Sequence, residues 1–238
     1  MSEVLTISPS KVVWLATRES DPFREDNAAS IMGKREHRKH LGMALRKWGR
    51  VLPGFEEQGG LIDQSDASML TVEYSCRWAI GESVLATTVV DAVVDDDICI
   101  ELKPTLKGRH VLQLMLTSMI YAGAHEKDEV WGLLYLYKAW QSKSYALPYG
   151  GREYWDEGLR VLLLAAQIIA WQEALDEKKR IIKYGEDNFQ QGMRVMEQNI
   201  RWRADSVVPQ QMVDYRREFD ETILGIVNPL VHGLGKLG

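Results

Sequence analysis

The chain has 238 residues, 45% of them hydrophobic and 26% charged, so it is long enough to bury a core without covalent staples and close to the upper size of one domain. Its two cysteines, Cys76 and Cys99, exclude a disulfide framework, a four-cysteine metal site and an iron–sulfur cluster held by four thiolates. A net charge of −5 and a pI near 5.6 argue against a uniformly basic coat for nucleic acid, and leave any such contact to local patches.

No apolar run reaches the roughly 18–20 residues of a membrane-spanning helix. The start of the chain lacks the charged, apolar and small-residue layout of a secretion signal. The expectation is an intracellular protein without membrane contact, cytoplasmic or, in a eukaryotic or viral setting, nuclear.

In chain order, Ser8 followed by Pro9 reads as the cap and first residue of an opening helix. After an acidic loop, residues 34–50 regain helical spacing through Leu41, Leu45 and Trp48. Pro53-Gly54 and Gly59-Gly60 then break the chain. Residues 69–80 and 83–94 are rich in Val, Thr, Tyr and Trp around a Gly81-Glu82 turn, the pattern of a hairpin. Asp95, Asp96 and Asp97 make a second turn before a third strand at 98–103, which Pro104 ends. A helix over 109–122, a fourth strand over 130–139 and a long amphipathic helix over 155–179 follow. Further helix runs from about 187 to 224, interrupted at Val208-Pro209. The expected fold is α/β: a central mixed sheet flanked by helices, restriction-endonuclease-like, spanning residues 1–184, with a helical extension over 185–238 that packs on the core or on a partner.

Pairing Val94 with Ile98 across a three-residue turn sets Asp91 opposite Glu101, and opposed residues share a face. Glu101 and Lys103, two apart, also share a face. The arrangement requires an odd turn, because a one-residue slip would send Asp91 to the other side. Two carboxylates and a main-chain carbonyl suit a hard, oxygen-seeking cation such as Mg²⁺ or Mn²⁺. A lysine beside such an ion can hold the attacking water and stabilise charge in phosphodiester hydrolysis. Acids and a lysine embedded in otherwise apolar strands mark a site more than a solvated surface.

With these residues in view, the chain resembles the PD-(D/E)XK nucleases, in particular their RecB-like branch of lambda-type and CRISPR-associated exonucleases. Ser8-Pro-Ser-Lys11 is similar to the start of that branch, and Gly33-x-x-x-His37 to its glycine–histidine motif. Asp91 falls at the first acid, Glu101-Leu-Lys103 at the acid-x-lysine motif and Gln113 at the glutamine of the next helix. The resemblance covers roughly residues 8–180 and implies a cluster-free, Mg²⁺- or Mn²⁺-dependent deoxyribonuclease, working as an exonuclease in recombination, repair or phage and mobile-element replication. It implies Asp91, Glu101, Lys103 and Gln113 as the catalytic set, with His37, Asp91, Glu101 and the Leu102 carbonyl around the metal. His40 lies one turn from His37 on nearly the same face and fits the ligand role as well. The tyrosine that often follows the glutamine by four residues is here Thr117, with Tyr121 one turn later.

Lys34, Arg35, Arg38 and Lys39 lead the strongest basic stretch, and Lys107 and Arg109 precede the Gln113 helix, where the helix dipole also attracts phosphate. These six are the expected nucleic-acid contacts, with DNA preferred over RNA. The acidic pI implies that a protein partner or a homo-oligomer helps to hold the substrate. Two other functions fit the same residues: an RNA endonuclease of the cap-snatching type, and an inactive nuclease fold kept as a nucleic-acid-binding or assembly module.

Overall fold

The structure is a computed structural model that describes residues 4–17, 71–137, 143–184 and 209–237. The described chain is α/β, a mixed sheet with helices packed against it. It runs β1 (Leu5–Ile7), α1 (Pro9–Thr17), β2 (Thr71–Ile80), β3 (Val84–Val94), β4 (Ile98–Lys103), α2 (Gly108–Ala124), β5 (Trp131–Leu136) and β6 (Lys143–Leu147). A 3-10 segment (Pro148–Tyr154), α3 (Trp155–Tyr184), α4 (Gln210–His232) and β7 (Gly235–Leu237) complete it.

Local chemistry explains most of these boundaries. Pro9 opens α1, where its missing N–H costs nothing, and Ser8 Oγ accepts the Lys11 N–H at 3.4 Å. Asp95 and Asp96 both adopt left-handed backbone, φ 51° and 59°, which aspartate tolerates better than most residues. Their turn closes with the Asp97 N–H donating to the Val94 carbonyl at 3.2 Å, and Lys127 Nζ donates to Asp97 Oδ1 at 2.7 Å. The three aspartates thus form a hairpin turn.

β3 is the hub of the sheet. β2 pairs antiparallel along one edge of β3, from Thr71↔Val93 to Ile80↔Val84. β1, parallel through Leu5↔Val84 to Ile7↔Ala86, and β4, antiparallel through Val94↔Ile98 to Ala92↔Ile100, must therefore share the other edge. Among the described residues no strand pairs with that edge between Thr87 and Asp91. β4 then pairs parallel with β5, β5 antiparallel with β6, and β6 antiparallel with β7.

The main core lies between this sheet and the helices. α2 runs through its centre, touching β2 to β5 as well as α1, α3 and α4. From His110 to Ala122 every α2 residue is buried except Gln113. Gly123 lets α2 approach β2 closely, for a Cβ there would lie 2.4 Å from the Trp78 ring. Phe219, Ile226 and Leu230 tie α4 into the same core, and emptying a fully buried Phe219 to alanine would cost about 3–5 kcal/mol. Residues 209–237 are thus part of the body, and β7 extends its sheet. A smaller cluster of Ala92, Ile98, Ile100, Leu102, Leu133 and Tyr135 covers the opposite face of the sheet. No helix of the described residues is long and apolar enough to cross a membrane.

Candidate active site

The alternation of side chains along β3 changes phase at one point. Val84, Ala86 and Val90 face the main core, but beyond Asp91 it is Val93 that does so, while Ala92 joins the smaller cluster. The same level is missing from the β2–β3 ladder, where Tyr74↔Val90 and Val72↔Ala92 are paired on either side of Glu73 and Asp91. Glu73 itself takes a left-handed φ of 51°, uncommon for a non-glycine residue inside a strand. Asp91 therefore leaves the regular pleat, and its Oδ2 accepts the Leu102 N–H at 2.7 Å, one step past the last β3–β4 pair.

The odd turn expected at 95–97 is present, and with it the register Val94↔Ile98. Within β4, alternate residues bond to opposite neighbours. The carbonyl of Lys103 accepts the Tyr137 N–H and that of Asp97 the Trp131 N–H, so odd-numbered residues of β4 turn their main chain toward β5. Leu102 turns its N–H and its carbonyl toward β3, on the side where β3–β4 pairing has ended. The Leu102 carbonyl thus faces the Asp91 edge, as a main-chain ligand there would need.

Glu101 is 2% exposed and projects on the α2 side of the sheet. Its Oε1 accepts two bonds: from the Lys103 ammonium at 2.6 Å and from Gln113 Nε2 at 2.8 Å. Gln113 is the half-buried exception on an otherwise buried stretch of helix, and it spends an amide N–H on this carboxylate. Glu101 Oε2 is buried with no hydrogen-bond partner among the described residues.

The electrostatics follow from this crowding. Burial, and then the neighbouring charge of Glu101, push the Asp91 carboxyl up to about 8, against the Lys103 charge and the Leu102 N–H, with Glu73 adding a further push upward. Burial works to discharge Lys103, but the charges of Glu101 and Asp91 and the hydrogen bond to Glu101 together outweigh it, holding the ammonium above the ordinary lysine value. A half-buried Asp91 beside a buried Glu101 that keeps one orphaned oxygen forms a donor set suited to a divalent cation. Asp91, Glu101 and the Leu102 carbonyl are the oxygens that could hold it. Among the described residues no group of three or more His, Cys, Asp or Glu side chains comes together as a complete metal cage.

Lys107 is the N-cap residue of α2 and Arg109 stands in its first turn, which carries no acid. Both lie between Lys103 and Gln113 in the chain, at the positive end of the helix dipole. His37, with its alternative His40, and Lys34, Arg35, Arg38 and Lys39 lie outside the described residues. Thr117 is buried within 3.4 Å of the Thr88 hydroxyl. Tyr121 packs its ring on Tyr74 and His125, two turns of helix beyond Gln113. Glu73 is the neighbour that sequence reasoning missed: only its level with Asp91 and its charge acting on that residue bring it to notice. Cys76 and Cys99 are buried and unbridged, and burial pushes both thiols up, Cys76 to about 11.

No protein-family profile matches the chain, and no curated protein matches it. Among solved structures, the crystal structure of SSO0001 is similar at 17% identity, with a TM-score of 0.39 over 62% of this chain and 69% of that one. A likeness of that size carries no weight for fold or activity.

Proposed function

We propose that the chain is a divalent-metal-dependent nuclease that hydrolyses the phosphodiester bonds of DNA, acting as an exonuclease in recombination, repair or mobile-element replication. The observation that carries this reading is the convergence of Asp91 and Glu101 beside Lys103, with Glu101 Oε2 buried and unsatisfied.

Asp91, Glu101 and the Leu102 carbonyl would hold Mg²⁺ or Mn²⁺, hard ions that keep several waters and take few protein ligands. His37, outside the described residues, is the further ligand that the resemblance implies. A bound ion of this kind polarises the phosphodiester, lowers the pKa of its water and offsets charge on the leaving oxygen. Lys103 would bring its positive charge to the phosphoryl oxygens as they gain negative charge, and its partial burial strengthens that interaction over what water would allow. Gln113 fixes the rotamer of Glu101 and so orients the oxygens of the site. Lys107 and Arg109, at the amino end of α2, would hold a backbone phosphate.

The test is cleavage of linear, circular and single-stranded DNA, and of RNA, with Mg²⁺, Mn²⁺ or chelator, by wild type and Lys103→Ala. Chelator should abolish cleavage, and Lys103→Ala should lower it by roughly a hundredfold or more, the scale of losing one transition-state donor. Undiminished cleavage by Lys103→Ala would overturn the assignment. A clear preference for RNA would move the reading to the RNA endonuclease.

A further inference from the structure

Glu101 has two oxygens in unlike situations. Oε1 carries the Lys103 ammonium and the Gln113 amide, while Oε2 has no hydrogen-bond partner among the described residues. Any cation drawn to Glu101 and Asp91 therefore meets an ammonium already seated on one of its two carboxylates. Positive charges a few ångströms apart repel strongly where water is largely excluded. The lysine stem has four flexible carbons, so its ammonium can swing away while Gln113, on the rigid helix α2, keeps hold of Oε1.

On these grounds we propose that Lys103 and a divalent cation compete for Glu101, so that Lys103 leaves the carboxylate when the cation takes it and turns its ammonium to the substrate side. The inference rests on the metal-dependent reading above. Its consequence is an ordered site. The lysine is sequestered by Glu101 until a cation replaces it, and a cation-sized charge stays on Glu101 throughout. Gln113 is then a positioning residue that keeps Glu101 in place during the exchange.

The experiment titrates Mn²⁺ calorimetrically into the full chain as wild type, Lys103→Met, Lys103→Arg and Asp91→Asn. Competition predicts that Lys103→Met binds Mn²⁺ at least tenfold more tightly than wild type, although its cleavage falls by roughly a hundredfold or more. Lys103→Arg, which keeps the charge, should stay within about threefold of wild type. A second arm needs no variant to fold: in wild type labelled with ¹⁵N-lysine, Mg²⁺ should shift one ammonium resonance along the binding isotherm.

Equal or weaker Mn²⁺ binding by Lys103→Met, with wild type binding and Asp91→Asn not, would overturn the competition and leave the metal-dependent reading standing. So would a set of lysine resonances that does not move at saturating Mg²⁺. Absence of binding in both wild type and Lys103→Met would overturn the metal reading and this inference together.

Discussion

The Leu102 N–H donates to the Asp91 carboxylate at 2.7 Å at the level where main-chain pairing between β3 and β4 stops. A side chain thus takes the place of a strand carbonyl, and the two strands separate without leaving that amide unpaired. The same bond holds Asp91 beside Glu101, at an electrostatic cost that the Lys103 charge and the Leu102 N–H offset in part.

That cost has a sign. In the folded chain Asp91 binds its proton up to about pH 8, whereas unfolded aspartate releases it near pH 4. The folded state therefore loses stability as pH rises between those values. Asp91→Asn keeps an oxygen for the Leu102 N–H and removes the penalty. Measured in chelator, its unfolding free energy in urea should exceed that of wild type at pH 8 by on the order of a few kcal/mol, and the gain should vanish near pH 4. Asp91→Ala, with no acceptor, should lose about 1–3 kcal/mol instead, from the unpaired amide. Both variants should be inactive, and excess Mg²⁺ should raise the melting temperature of wild type alone.

Among the described residues Gln113 hydrogen-bonds to Glu101, so its effect should pass through that carboxylate. Gln113→Leu should weaken Mn²⁺ binding about tenfold to a hundredfold and lower kcat in parallel, the usual effect of losing a residue that orients a ligand. KM for DNA should change little. Fold stability should fall by only about 1 kcal/mol, because Lys103 still serves Glu101 Oε1. A large rise in KM with unaltered metal affinity would show instead that Gln113 meets the substrate.

Away from the site, Gly123 tests the packing of α2 on β2. Alanine there would improve helix propensity by up to about 1 kcal/mol. Its Cβ, however, would sit 2.4 Å from two atoms of the Trp78 ring, inside any van der Waals contact. Overpacking should prevail, with Gly123→Ala losing about 1–3 kcal/mol by chemical denaturation. A double-mutant cycle with Trp78→Leu should recover much of the loss.

What the sequence made legible follows from range. The hairpins around Gly81 and Asp95–Asp97 are local events with strong turn chemistry, and so are the capped start of α1 and the apolar spacing of α2. The relation of Asp91 to Glu101 needed only the odd turn between them. β1, β6 and β7 were not foreseen, because each is short and takes its identity from a strand far along the chain, as Leu5 does from Val84. Nor could alternation reveal the change of phase at Asp91, since a period-two pattern assumes an unbroken pleat. Glu73 was hidden for the same reason: as one acid in an alternating strand it reads as solvated, and only its level on the neighbouring strand brings it to Asp91.

His110 offers a pH test independent of the carboxylates. It is buried in the first turn of α2, and its Nδ1 donates to the Thr105 carbonyl at 2.6 Å, which fixes the tautomer and ties the loop after β4 back to the helix. Burial lowers its pKa to about 4, with Lys103, Arg109 and Lys107 also opposing protonation and the Thr105 bond resisting the shift. An unfolded histidine takes up its proton near pH 6.5, so between 6.5 and 4 the unfolded chain binds more protons than the folded one. The stability conferred by neutral His110 is fully present above pH 6.5 and is lost as pH falls toward 4. Wild type should lose on the order of 1 kcal/mol from this group between pH 7 and 4.5, once solvent screening is allowed for. His110→Phe keeps the bulk, forfeits the Thr105 bond and should start lower at pH 7, but its stability should fall less steeply over that interval. Parallel curves for the two proteins would mean that His110 titrates alike in both states, and that acid sensitivity comes from elsewhere.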